Sequence, residues 1–387
     1  VASRHHLALA TLLLVALALR LGWASFQSND PHSLSALPDQ LEYFEIGQNL
    51  LHGQGLQFTD PRFHQQVWAF RTPGYPAFIA ICGANLAVIR VVQCLLDASV
   101  VWAVYLLARN WLSPNLSLAA ALLAAINPLL IYFSSLILSE TLFTTMLVWS
   151  VLLLTRKTSA AFAGLAIVAL AILVRPSAIA LPVVFGLARN RERAIQLAIA
   201  GAGLTVVALF PWALRNHLRL STWIWTSTNS GITRYDGFNP NASGGSDQSF
   251  LPDMPELLGM GEVERSDYLS QLADEYIRAH PGESVLLGFE KIARLWSPYP
   301  LSAQFSRPIY IAILMIYSLP VMILAVICLV RRCLPGRAVL LLVVPAVYLT
   351  IIHAASVSSL RYRLPVEPLL AVLAIGSFQC RTQRNSL

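Results

Sequence analysis

Apolar residues gather into ten runs along the chain: 7–26, 90–109, 115–134, 141–155, 159–174, 177–188, 194–212, 308–330, 338–353 and 364–379. Each approaches the ~20 residues that cross a hydrocarbon core of about 30 Å. The pattern predicts an all-α polytopic membrane protein with about ten transmembrane helices. A further apolar stretch, 75–88, is shorter and contains Pro76 and Gly83, and is expected to form a re-entrant or interfacial helix. The first run follows Arg4, His5 and His6 but exceeds a secretory signal core and ends without a small-x-small site, so it is expected to be a retained span.

Between the runs, two segments are too long to be simple connections. The first, 27–74, lies within an expected N-terminal membrane module, 1–212. Its stretch from Asp39 to Leu51 places Tyr43, Phe44, Ile46, Leu50 and Leu51 at helical spacing, which predicts an amphipathic juxtamembrane helix lying along the bilayer surface. Asp39 would sit at its N-terminus, suited to cap it. The second segment, 213–307, precedes the C-terminal helices of 308–387 and is expected to fold into a small region of its own. Within it 229–261 reads as loop, 262–279 as a helix ended by His280 and Pro281, and 284–296 as a second, surface-lying helix.

Composition supports this picture: 56% of the 387 residues are hydrophobic and 12% charged, against roughly 25% charged in soluble domains. The net charge of +7 does not mark a nucleic-acid binder, because its distribution follows the membrane. With the N-terminus inside, the inward segments carry Arg4, Arg109, Arg156, Lys157, Arg189, Arg191, Arg193, Arg331, Arg332, Arg337, Arg381 and Arg384, with Glu192 as their single acid. That is the positive-inside bias; it puts both termini in the cytoplasm and the two long segments outside. None of the five cysteines falls in a long outward segment and none has zinc-finger spacing, so no disulfide framework is expected.

Polar residues recur where runs meet the outer face: Ser139-Glu140, Arg175-Pro176, Pro211-Trp212 with Arg215-Asn216, and Arg361-Tyr362-Arg363-Leu364-Pro365. An Arg at the bilayer centre costs ~3 to over 10 kcal/mol, so each must snorkel or face a polar cavity. Gathered at one level beside carboxylates, they suit an anionic group bound next to a base. Arg20 and Asp97, within spans, are expected to pair structurally.

The ordered pattern Asp39…Tyr43…Asn49-Leu50-Leu51-x-Gly53-x-Gly55, then Arg71-x-Pro73-Gly74-Tyr75-Pro76, resembles the first outer loop of GT-C glycosyltransferases. It is most similar to glycosyltransferase family 39 and its relatives, the protein O-mannosyltransferases and lipid A aminoarabinose transferases, whose later landmarks the four polar clusters match in order. The resemblance implies a GT-C-like fold and transfer of a sugar, with inversion, from a polyprenyl-phosphate donor to a lipid, glycan or protein acceptor on the extracytoplasmic face of a cell inner membrane. It further implies Asp39 as catalytic base and Glu140 as a supporting carboxylate. Arg215, Arg361 and Arg363, then Arg71 and Arg175, are expected at the donor phosphate, and Tyr43 and Tyr75 as substrate contacts. Many relatives carry Asp-Glu where this chain has Asp39-Gln40. A divalent metal stays an open expectation that this departure weakens, since a site needing both carboxylates lacks one, and no other cofactor is implied. A lipid-linked sugar transporter or flippase, and a polysaccharide polymerase or ligase, are the alternatives. The former would be expected to show two matching halves, which the sequence lacks.

Overall fold

The computed structural model describes residues 2–189, 191–301 and 307–384. Residues 302–306, within the second long segment, and 385–387 lie outside the described residues, as do the side chains of Arg191, Cys380, Arg381 and Arg384. The chain runs through α1 (Ala2–Ala24), α2 (Pro38–Leu51), β1 (Phe58–Asp60), β2 (Gln65–Val67), α3 (Gly74–Ile81), α4 (Leu86–Ala108), α5 (Pro114–Ile126), α6 (Pro128–Phe133), α7 (Glu140–Leu154) and α8 (Thr158–Ala171). It continues through α9 (Leu181–Arg189), α10 (Ala194–Leu220), α11 (Asn229–Gly237), α12 (Glu262–Ala279), α13 (Pro281–Leu295), α14 (Pro308–Val330), α15 (Gly336–Ala354) and α16 (Glu367–Arg384).

Every one of the ten apolar runs is helical, and the protein is a multi-pass membrane protein. Among the described residues five helices, α1, α4, α10, α14 and α15, are long and apolar enough to cross a bilayer unaided; α5, α7, α8 and the 176–189 segment are shorter apolar helices. Exposed side chains such as Leu14, Ile199, Val207 and Ile316 form an apolar outer surface, the arrangement hydrocarbon solvent requires once backbone groups are bonded within helices.

Local chemistry shapes three departures from the run pattern. Run 115–134 splits into α5 and α6 because Pro128 has no N–H to continue α5, and the Asn127 side chain caps α6 by accepting from Leu129 and Leu130 N–H. In contrast, α10 continues through Pro211 to Leu220, beyond the boundary expected at 212; neighbouring helices hold a proline in a membrane helix that would end one in water. The 229–261 stretch, read as loop, contains α11. Close helix approach relies on small residues: a Cβ on Gly201 would lie 2.4 Å from the Pro182 carbonyl oxygen, so α9 and α10 meet backbone to backbone there.

Inside the bundle Arg20 and Asp97 form the expected pair, both essentially inaccessible, and Arg20 also donates to the carbonyls of Ala16, Ala124 and Ala125. At one end of the bundle the two long segments pack against each other. Ile46 of α2, Phe58, Phe63 and Val67 of the hairpin region, Phe70, Ile232 of α11, Leu257 and Leu269 of α12 make one apolar cluster. Each such side chain contributes about 1.5–3 kcal/mol by leaving water, so this cap is a single folded unit.

Lys291 of α13 is fully buried in the cap, its Nζ 3.4 Å above the Phe238 ring with no hydrogen-bond partner among the described residues. Burial pushes its pKa down from 10.5 to about 8, the charge of Asp236 offsetting only part of this. The unfolded chain therefore holds a proton that the folded one has shed between pH 8 and 10.5, and stability rises across that window. Melting curves from pH 7.5 to 10 should show a gain of at most about 3 kcal/mol in the wild type that Lys291→Met lacks.

Candidate active site

Asp39 lies in the first turn of α2, but Leu37 is the N-cap and Asp39 does no capping. Its carboxylate instead faces two guanidiniums drawn from distant parts of the chain. Oδ1 accepts from Arg71 Nη2 at 2.6 Å, and Oδ2 accepts from Arg361 Nη2 at 2.6 Å. Arg361 Nε lies 3.1 Å from Glu140 Oε1, which also pairs with Arg175 Nη1 at 2.8 Å. On the other side Arg71 pairs with Glu42, Glu42 Oε1 lies 3.2 Å from Arg62 Nη2, and Arg62 pairs with Asp60 at 2.8 Å. The result is one unbroken series of alternating charge, Asp60–Arg62–Glu42–Arg71–Asp39–Arg361–Glu140–Arg175, with four acids and four bases.

Each member is positioned by a local feature. Pro38 fixes the first turn of α2, and the buried Gln40 side chain accepts Ile137 N–H at 2.8 Å, tying that turn to the segment leading into α7 and Glu140. Arg71 follows a stretch gripped by Glu262 of α12, whose carboxylate accepts Trp68 N–H at 2.9 Å and Thr228 Oγ1–H at 3.1 Å. Gly74 then donates to the Leu173 carbonyl at 2.7 Å; a Cβ there would lie 2.7 Å from the Leu173 carbonyl carbon, so only glycine fits. Arg361 projects from a 3-10 turn, Leu360–Val366, whose Tyr362 ring stacks on buried His353 at 4.2 Å and lies 5.2 Å from both the Arg175 and Arg361 guanidinium carbons. Replacing Glu262 by Ala leaves buried amides without an acceptor and should cost about 1–3 kcal/mol, read as a lowered melting temperature of the detergent-purified protein.

The expected residues do not all converge. Asp39, Glu140, Arg71, Arg175 and Arg361 are brought together. Tyr43 packs beneath the Arg71 guanidinium at 5.0 Å. Tyr75 is fully enclosed, its hydroxyl donating to Gln93 Oε1 at 2.6 Å, and has no open face toward a substrate. Arg363 points the other way: it is 1% exposed, bonds Glu367 at 2.7 Å, and donates to the carbonyls of Leu295 and Ser297. Arg215 stands outside the charge series and donates to the carbonyls of Trp68 and Leu56 at 2.7 and 2.8 Å. It lines two adjoining cavities. One, about 470 Å³, is bounded by Gln54, Trp68, Leu218 and Arg219; the other, about 580 Å³, is an apolar groove between α8 and α10 lined by residues such as Leu170, Leu173, Leu204 and Pro211. Sequence reasoning missed Glu42, Asp60 and Arg62 as site members. The spacing of Asp39 and Glu42, one helical turn apart, was the available signal.

Burial raises the pKa of Asp39, but the Arg71 and Arg361 charges outweigh it and hold the carboxyl well below its ordinary value. For Glu42 burial prevails over Arg71 and Arg62, and its pKa is raised. Among the described residues no group of three or more His, Cys, Asp or Glu side chains could hold a metal ion. Both Asp39 oxygens face guanidiniums and Gln40 is turned to a backbone amide. These side chains do not fit a divalent metal as arranged.

Residues 75–214 match the family model described as dolichyl-phosphate-mannose-protein mannosyltransferase. None of the curated protein sequences compared with the chain matches it. Among solved structures, the apo oligosaccharyltransferase of Archaeoglobus fulgidus superposes with a TM-score of 0.54 at 15% identity, covering 96% of this chain and 50% of that one. The oligosaccharyltransferase AglB of the same archaeon, solved with an inhibitory peptide and a dolichol-phosphate, gives 0.58 at 14% identity, covering 99% of this chain and 52% of that one. The chain thus spans about half the length of the structures it matches, and at these identities the likeness establishes a GT-C fold. The resemblance to GT-C glycosyltransferases drawn from the motifs is borne out by segment and by fold.

Proposed function

We propose that this chain is a membrane glycosyltransferase that moves a sugar from a polyprenyl-phosphate donor to a lipid, glycan or protein acceptor on the extracytoplasmic face, with inversion. The observation that carries it is the bracketing of the Asp39 carboxylate by Arg71 and Arg361, with Glu140 and Arg175 beside them, at the polar end of a helical membrane bundle. The mannosyltransferase match over 75–214, and the dolichol-phosphate in one structural relative, support a lipid-phosphate donor. The apolar groove that ends at Arg215 suits an isoprenoid tail.

In this reading Asp39 takes the proton from the acceptor hydroxyl as its oxygen attacks the anomeric carbon. The bond from that carbon to the phosphate oxygen breaks, and its electron pair leaves with the lipid phosphate. Arg361, Arg71 and Arg175 stabilise that charge through fixed N–H donors, which match phosphate oxygens and need little rearrangement during reaction. Glu140 orients Arg361 and Arg175. Arg215 guides the lipid at the groove mouth, while Arg363 anchors the turn that presents Arg361. The positive-inside charge distribution supports ten crossings with cytoplasmic termini in a cell inner membrane; 213–307, outside in that topology, would select the acceptor.

Purified protein incubated with radiolabelled polyprenyl-phosphate sugars and membrane extract should transfer one label to a discrete acceptor. Movement of label across a proteoliposome membrane with no covalent transfer would replace this reading with a transporter.

A further inference from the structure

At the centre of the charge series each Asp39 oxygen is paired with a guanidinium. Both Asp39 oxygens are engaged at 2.6 Å, yet a base must offer a lone pair to its substrate within about 2.6–3.2 Å. Arg71 is engaged through Nε and Nη2, and Arg361 through Nη2 and, against Glu140, Nε; with four acids matched to four arginines the series carries no excess positive charge for an incoming phosphate. An anion seated there competes with the carboxylates for these donors.

The links differ in how readily they yield. Arg71 is held by Glu42 as well as Asp39, lies over the Tyr43 and Phe70 rings, and its side chain is 14% exposed. The Arg361 and Asp39 side chains are 28% and 29% exposed, and Arg361 retains Glu140 through Nε if Nη2 lets go. The Arg361–Asp39 link is thus the accessible one, and its loss leaves neither residue unpaired.

Building on the glycosyltransferase reading, we propose that the donor phosphate takes Arg361 Nη2 from Asp39 Oδ2, and that this exchange of partners is what frees Asp39 to act as the base. Donor binding then precedes productive acceptor binding, and the carboxylate stays masked until a donor is seated. Removal of one of the two guanidiniums also restores part of the basicity that they suppress. The proton of the acceptor hydroxyl passes to Oδ2, the new glycosidic C–O bond forms, and the phosphate leaves bound to Arg361.

Exchange makes the carboxylate a competitor of the phosphate, which gives an unusual expectation. Farnesyl phosphate binding to the full-length protein in nanodiscs, measured by calorimetry, should be about tenfold tighter in Asp39→Asn than in the wild type, equivalent to about 1.4 kcal/mol. Farnesol should bind all forms equally, and Glu42→Gln, which alters the same series away from Arg361, should change phosphate affinity far less. In the wild type, carbodiimide labelling of Asp39 should rise on saturation with farnesyl phosphate and not with farnesol; this readout stands even if the Asn variant does not fold. Unchanged or weaker binding by folded Asp39→Asn, labelling that falls or stays constant, or no phosphate-dependent binding at all would overturn the exchange. Sugar transfer by a protein that fails these tests would leave the enzyme reading intact, whereas passing them without transfer of any donor sugar would remove the enzyme reading alone.

Discussion

Asp39→Asn should lower sugar transfer by about 10²–10⁴-fold, the usual contribution of a positioned base, while leaving the protein folded. The amide matches the carboxylate in shape and can still accept from Arg71 or Arg361, but it cannot take a proton. Its structural cost is limited because the amide keeps one guanidinium contact and both ion pairs are partly solvated. The acid dependence has a definite sign. The folded pKa lies below the ordinary 3.8, so the stabilisation from Asp39 is complete above that value and is lost only as pH falls further. Transfer assays on nanodisc-reconstituted protein, paired with melting temperatures, check both halves. Turnover near the wild-type rate would remove Asp39 from the chemistry.

The largest effect on stability should come from Asp97→Ala. Arg20 and Asp97 are 0% and 1% exposed within the bundle, and removing the acid strands a guanidinium whose remaining partners are three backbone carbonyls. Breaking a buried pair from one side costs about 3–5 kcal/mol, whereas replacing both members with apolar residues of similar volume is often neutral. The single variant should therefore lose folded yield and denaturant resistance, and Arg20→Leu combined with Asp97→Leu should recover most of both. A double variant as weak as the single would show that the carbonyl contacts that tie α1 to α5, and not the charge pair with α4, carry the stability.

The membrane helices were legible because hydrocarbon demands long apolar stretches, a signal that survives reading one residue at a time. Helix ends were less so. Pro128 ends α5 whereas Pro211 sits inside α10, and that difference is set by packing partners that sequence does not display. The β1–β2 hairpin escaped notice because its three-residue strands are too short for alternation to register. At the site, Asp39, Arg71 and Arg361 could be named from motif order, but Arg361 and Arg363 could not be ranked. They are two residues apart on a 3-10 turn, about two-thirds of a revolution, so one reaches Asp39 and the other Glu367. Asp39 and Arg361 are separated by 322 positions, and such a meeting follows from the bundle's topology alone.

Seven of the eight charged groups in the series come from the first 175 positions and the eighth from position 361; the stretch from 213 to 301 supplies none of them. A homologous insert grafted in place of 221–294 should redirect which molecule is modified without rebuilding the chemistry, provided the graft keeps the Glu262 and Thr228 contacts that brace Trp68 and Ala69 and the apolar seam shared with 58–70, while Arg215 and the Leu295 and Ser297 carbonyls that hold Arg363 stay in place.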